Sequence, residues 1–218
     1  MPAKFITLEG GEGTGKSTQA DLLADRLRNV SEDFEVIVTR EPGGSERAER
    51  IRTLLLDSQL PPPTPLTETL LFYAARDDHL HHIINPALDA GKWVICDRFS
   101  DSTRAYQGAA GGLTGQIIDR LDKWVVSDHQ PGLTIILDLP ASLGLERAAS
   151  RRTERSDDFT DRFEGLNLKF HQNLRHAFVQ IAASYPSRCV LVDAAGEISV
   201  VASRIWDIVA DRWSLPVS

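Results

Sequence analysis

The chain has 218 residues, 42% of them hydrophobic and 25% charged, which suits one mid-sized globular domain and excludes a mainly disordered polymer. Its 24 basic against 31 acidic side chains leave a net charge of −7, the wrong sign for a surface that holds nucleic acid non-specifically. No apolar stretch approaches bilayer-spanning length and the N-terminus shows no leader pattern, so no membrane partner is expected and a cytoplasmic protein is.

Phe5–Leu8 is the first of five short apolar runs rich in β-branched residues; Phe34–Thr39, Trp93–Cys96, Leu133–Leu137 and Cys189–Val192 follow. Their near-continuous apolar character predicts strands covered on both faces. Helix-period segments lie between and after them: Ser17–Leu27, Ser45–Leu56, Glu68–Ala90, Gln116–Val126, Ala141–Arg151, Leu166–Ser184 and Ile198–Trp213. The proline-rich stretch Leu60–Pro65 reads as a stiff connection before a helix capped by Thr67. Cys96 and Cys189, the two cysteines, each sit in an apolar run and read as core thiols. Strands alternating with helices predict βαβ units. The expected fold is therefore α/β, a three-layer arrangement of a five-stranded parallel sheet with helices on both faces, in a single domain over 1–218. Ligands of such sheets sit beyond the carboxyl ends of the strands. That rule points to the residues just after Leu8, Thr39, Cys96 and Leu137.

Directly after the first strand, Gly10-Gly11-Glu12-Gly13-Thr14-Gly15-Lys16-Ser17 fits the phosphate-loop pattern G-x-x-x-x-G-K-[ST] in full. Glycines let successive backbone N–H groups converge on one concavity, and the N-terminus of the following helix adds positive potential. Lys16 is expected at the β- and γ-phosphates and the Ser17 hydroxyl on Mg²⁺, with Thr18 joining the nucleotide contacts. The loop alone leaves the use of the nucleotide open, since switch GTPases, motor ATPases and small-molecule kinases share it.

Further runs fall where the sheet rule points. Thr39-Arg40-Glu41-Pro42-Gly43-Gly44 closes the second strand. Asp97-Arg98-Phe99-Ser100-Asp101-Ser102 follows the third, with Ala105-Tyr106-Gln107-Gly108 just behind it. Phe72-Tyr73-Ala74-Ala75-Arg76 lies on the long middle helix, and its first and last residues, four apart, share a face. A ring there can stack on a pyrimidine while the guanidinium donates to a base carbonyl. With these runs in view, the chain resembles the thymidylate kinase family in its bacterial form, from Lys4 to the end of the fifth strand.

The resemblance implies a P-loop kinase fold, ATP as phosphoryl donor, dTMP as acceptor, Mg²⁺ as cofactor and a homodimer. It places Phe72, Arg76 and Gln107 at the base and Tyr106 against the sugar, where a phenol ring would crowd a 2′-hydroxyl. Glu41, Pro42 and Ser102 complete the acceptor site, Arg98 grips the acceptor phosphate, and Asp97 organises Mg²⁺ through water. Glu12 departs from the basic residue of eukaryotic relatives and is implied near the acceptor 3′-hydroxyl. Two rivals stay open: another P-loop nucleoside or nucleotide kinase, and a regulatory P-loop NTPase with no acceptor.

Phosphoryl transfer needs positioning and charge neutralisation more than covalent chemistry. A monophosphate acceptor is mostly dianionic near neutrality, with a second pKa of about 6, so it needs cations rather than a general base. Arg147, Arg151 and Arg155 recur every four residues, and with Arg152 and Arg162 they put five of the 24 cations within 16 residues. This segment, about 147–162, reads as a closing lid with a turn at Ser156-Asp157-Asp158, and Arg151 and Arg155 are the expected catalytic cations. By resemblance, Asp193 and Ala194, followed by Ala195, line the adenine pocket with Arg147 nearby. His79, His81 and His82 read as a polar helix surface rather than a metal cluster.

Overall fold

The computed structural model of the chain describes residues 3–155, 162–163 and 165–216, with residues 151–155 as helix backbone only. Five strands, β1 (Phe5–Gly10), β2 (Val36–Arg40), β3 (Trp93–Asp97), β4 (Leu133–Asp138) and β5 (Cys189–Asp193), pair in the order β2-β3-β1-β4-β5. Every pairing is parallel, so the crossovers must be long, and helices supply them. On one face, α1 (Lys16–Val30) and α9 (Ile198–Trp213) bring Leu23, Leu27, Trp206 and Val209 onto Ile6, Leu8, Ile95 and Ile135. On the other, α8 (Leu168–Ser184) lays Leu174, Phe178 and Ile181 against Ile136 and Cys189, while Leu80, Ile84 and Phe99 cover Phe5, Val94 and Cys96. Alternate residues of one strand thus enter two cores, Phe5 of β1 in one and Ile6 and Leu8 in the other. Each large side chain so buried contributes roughly 1.5–3 kcal/mol against chain entropy. Both cysteines are free and buried, as their apolar runs predict. Among the described residues, no helix is long and apolar enough to cross a membrane.

Two elements differ from the sequence expectation. The middle helix starts earlier: α3 (Pro65–His79) is capped by Thr64, whose Oγ1 accepts the N–H of Thr67, because Pro65 suits the first helical position. Beyond His79 the helix widens into a π-helical stretch, Leu80–Ile84, before α4 (Asn85–Asp89). Pro86 has no N–H to return to His82 and its ring crowds that carbonyl, so the turn ahead of it opens, with Asn85 N–H reaching Leu80 O. The second difference follows β3, where α5 (Ser100–Thr103) and another π-helical stretch, Arg104–Ala110, continue straight off the strand. The remaining helices are α2 (Glu46–Leu56), α6 (Gly115–Val125) and α7 (Ala141–Arg155). The carboxyl ends of β1, β2 and β3, with α3 and α5 above them, enclose one hollow.

Candidate active site

The loop after β1 folds as a tight concavity because three of its glycines, Gly10, Gly13 and Gly15, adopt positive φ. Two of them are required by contact as well. A Cβ on Gly13 would stand 1.9 Å from Gly144 O in α7, and one on Gly10 would stand 2.6 Å from Leu137 O in β4. Lys16 Nζ folds back to donate to Gly11 O at 2.8 Å and Gly10 O at 3.3 Å. Burial, together with the charge of Arg98, pushes Lys16 down to about 8, although Glu12, Asp97 and Glu9 pull the other way. Ser17 Oγ donates to Asp97 Oδ2 at 2.5 Å. Asp97 Oδ1 is buried with no partner among the described residues. A hydroxyl beside a carboxylate with a spare oxygen is a fitting donor pair for a hard cation completed by phosphate and water.

The hollow beside this loop is lined by Glu12, Glu41, Pro42, Phe72, Arg76, Arg98, Ser102, Tyr106 and Gln107, all expected from the sequence. Arg98 leaves β3 with φ 71, in the left-handed region that a non-glycine residue enters only when its surroundings hold it there. Its guanidinium donates to Gly10 O at 3.1 Å and Glu12 Oε1 at 2.8 Å, and lies 5.0 Å over the Tyr106 ring. Tyr106 Oη donates to the same Glu12 oxygen at 2.5 Å. Burial pushes the Glu12 carboxyl up, but Arg98, then Lys16 and the Tyr106 hydroxyl outweigh it and hold it at about 2. Glu12 is therefore an anion throughout the neutral range.

At the far end, Arg76 is buried with every nitrogen but one engaged. Nε donates to Glu41 Oε2 at 2.8 Å and Nη2 to Thr103 Oγ1 at 3.1 Å. Nη1 is buried with no partner among the described residues. Phe72 sits one turn away on the same face, as its spacing predicts, and its ring meets that of Phe163 at 6.5 Å. Gln107 Nε2 donates to Glu68 Oε2 at 2.8 Å, and Glu68 also pairs with Arg162.

Several lining or supporting residues escape a reading by motif: Phe99, Thr103, Phe163, Glu68, His79 and Glu9. For Glu9 a signal exists, a carboxylate inside a buried strand, the same oddity that singles out Asp97. Its Oε1 accepts the N–H groups of Phe99 at 2.8 Å and Ser102 at 3.3 Å, and its Oε2 accepts Ser102 Oγ at 2.6 Å. Glu9 thus ties the start of α5, and with it the strained turn at Arg98, to the phosphate-loop strand. Burial, then the charge of Asp101, pushes Glu9 up from 4.5 to about 8, against the opposing pull of Ser102 and Arg98. Folded protein then holds a proton that unfolded chain releases, so this group removes stability as pH rises from 4.5 to about 8. Glu9→Gln, which copies the neutral carboxyl, should flatten that decline. Melting temperatures taken between about pH 5 and pH 9 check it; parallel curves for the two proteins would show that Glu9 does not titrate there.

A second groove opens on the other side of the loop, lined by Gly13, Thr14, Gly15, Thr18, Arg147, Ala194 and Ala195. Arg147 donates to Ala194 O at 3.1 Å and Ala195 O at 3.3 Å, joining α7 to the segment after β5. The Asp193 carboxylate points elsewhere, accepting the Ala195 N–H at 3.0 Å and pairing with Arg204 at 3.2 Å, and Asp193 is not among the residues lining this groove. The side chains of Arg151 and Arg155, and most of the 147–162 lid expectation beyond Arg155, lie outside the described residues. The histidine run is corrected in part: His81 and His82 are exposed, but His79 is fully buried beside Glu41. Among the described residues no metal-holding cluster of His, Cys, Asp and Glu occurs.

A family model described as thymidylate kinase matches residues 8–205. A thymidylate kinase of Bradyrhizobium diazoefficiens is 53% identical over 209 residues, covering 96% of this chain and 90% of the relative. One of Caulobacter vibrioides is 49% identical over 211 residues, covering 97% of this chain and 98% of the relative. A crystal structure of thymidylate kinase from Ehrlichia chaffeensis superposes with a TM-score of 0.74 at 35% identity, across 94% of this chain and 97% of that one. Similarity of this depth, running the length of the sheet and through both grooves, means that the chain belongs to the thymidylate kinase family.

Proposed function

We propose that the chain transfers the γ-phosphoryl group of ATP to dTMP, giving ADP and dTDP. The observation that carries the acceptor's identity is Nη1 of Arg76, a buried donor with no partner among the described residues, at the wall of a hollow that also holds a flat ring, Phe72. A buried donor without an acceptor is costly, and the 4-carbonyl of a thymine stacked on Phe72 would satisfy it. Gln107 would take another edge of the base. Arg98, at the opposite end of the hollow, would receive the acceptor phosphate.

The phosphate loop would hold the ATP tail through its backbone N–H groups and Lys16, with Thr18 alongside and Arg147 near the adenine end. Mg²⁺, held by Ser17 and the spare Asp97 oxygen through water, would supply charge neutralisation across the phosphates. Arg98 and Lys16 flank the same short span, so the attacking oxygen and the γ-phosphorus would meet between two cations. The acceptor oxygen is already deprotonated, so no residue need act as base. Arg151 and Arg155 remain proposed lid cations. The same reading carries a homodimer, supported by the exposed Leu66 and Leu70 on α3, and a reducing cytoplasmic setting, which the two free buried thiols suit.

A coupled ADP-release screen across nucleoside monophosphates, with a no-acceptor control, tests this. Release should be fastest with dTMP and minimal without acceptor. The ring of Tyr106, held by Glu12 and Arg98, would crowd a 2′-hydroxyl, so ribothymidine monophosphate should react at least about tenfold more slowly. Equal ADP release with the acceptor omitted would overturn the assignment in favour of an NTPase.

A further inference from the structure

Behind Arg76 runs a buried polar relay that nothing in the phosphoryl-transfer chemistry requires. Thr39 Oγ1 lies 2.7 Å from His79 Nε2, and His79 Nδ1 lies 3.2 Å from Glu41 Oε1. The other oxygen of Glu41 takes Arg76 Nε, and Arg76 Nη2 ends the relay on Thr103. His79, Arg76 and Glu41 are 0%, 1% and 4% exposed. His79 closes α3 three residues after Arg76, so the two share a face and meet the Glu41 turn together. The histidine is wedged as well as bonded. A Cβ on Gly44, which has φ 89, would come within 2.3 Å of His79 Nε2 and 2.6 Å of Thr39 Oγ1. The second glycine of the Glu41-Pro42-Gly43-Gly44 run is therefore shaped to the ring.

The arrangement sets the plane of a guanidinium. Carboxylates and arginines prefer a two-pronged pairing, two N–H groups onto two oxygens. Here that pairing is denied, since His79 occupies Glu41 Oε1 and only Nε is taken by Oε2. Nη2 goes to Thr103 instead, and Nη1 has no partner among the described residues. With His79 gone, Oε1 could swing onto a second guanidinium nitrogen, turn the plane and carry Nη1 off the line of the base.

We propose that His79 is a positioning residue for recognition of the acceptor base: by holding Glu41 to a single-point contact with Arg76, it keeps Arg76 Nη1 directed at a pyrimidine carbonyl. The inference rests on the dTMP reading and deepens it.

The test uses His79→Asn, His79→Gln and His79→Ala in the full chain, with dTMP and ATP affinities measured by calorimetry and steady-state kinetics. Asparagine places an amide N–H near the Nδ1 position and keeps the donor to Glu41, whereas glutamine reaches towards Thr39 and loses it. The Gln and Ala variants should raise KM for dTMP about tenfold, and the Asn variant no more than about threefold, with KM for ATP unchanged in all three. In an Arg76→Ala background, His79→Gln should add nothing to the loss of dTMP affinity. Equal effects of Asn and Gln, parallel weakening of ATP and dTMP, or additivity with Arg76→Ala would overturn the role and leave His79 a packing residue. If the Ala variant fails to fold, the Asn and Gln pair still decides. A wild-type chain that neither binds nor phosphorylates dTMP would sink the dTMP reading itself, and this inference with it, before any variant is made.

Discussion

Lys16→Ala should lower the rate of phosphoryl transfer by about 10³-fold, the upper range for removing one preorganised donor from a transition state. Lys16 is buried, and its Nζ is held against the carbonyls of Gly10 and Gly11 within the loop. Its position is fixed before any nucleotide arrives, so little reorganisation remains for the reaction to drive. Alanine removes both the charge and the tie between the two ends of the loop. Arginine should not rescue, because its larger planar head would have to enter a pocket already filled by backbone. The depressed value of about 8 adds a second observable. A bound triphosphate favours the ammonium form, so ATP affinity should fall as pH rises past 8 and binding there should take up a proton. Calorimetry in buffers of different ionisation enthalpy measures that uptake; single-turnover rates measure the first effect. Near-normal turnover in Lys16→Ala would remove the lysine from the mechanism.

Arg76→Ala should weaken dTMP binding by about 10²-fold or more while leaving ATP binding within about twofold. The loss has two parts. The base loses a donor, and Glu41 is left as a buried carboxylate whose remaining partner is a histidine. Breaking such a pair on one side costs about 3–5 kcal/mol of stability, because the surviving charge stays buried. The variant should therefore also melt at lower temperature, and Arg76→Lys should repair neither defect, since a single ammonium cannot meet Glu41, Thr103 and a base carbonyl at once. Titration of each substrate with thermal melts of the same samples separates the two parts. Equal losses for ATP and dTMP would place Arg76 outside the acceptor site.

What a bare sequence can reveal here divides along chemical lines. The phosphate loop is legible because its function is written in consecutive residues: glycines for the turn, then Lys16 and Ser17 at the head of α1. Phe72 and Arg76 are legible because helical spacing puts both on one face. The roles of Glu9 and His79 are not, even though Glu9 stands out as an acid in a buried strand, since their partners are 93 and 38 positions away and only sheet register and helix packing bring them together. A histidine in a polar run reads as surface until Gly44 and Thr39 are folded against it. At the end of β5 the sequence marks the segment but not its side-chain partners: the Ala195 N–H and Arg204 engage the Asp193 carboxylate, while Ala194 lines the groove. The π-helical stretch Leu80–Ile84 escapes notice because helical periodicity survives one widened turn.

The Glu12 carboxylate, clasped by Arg98 and the Tyr106 hydroxyl, rehearses an occupied state. An arginine facing an empty cleft would gather whatever small anion the solvent offered. Here Arg98 already holds a counter-anion, so under the proposed function an incoming dianion would enter by exchange with Glu12 rather than into an empty cleft.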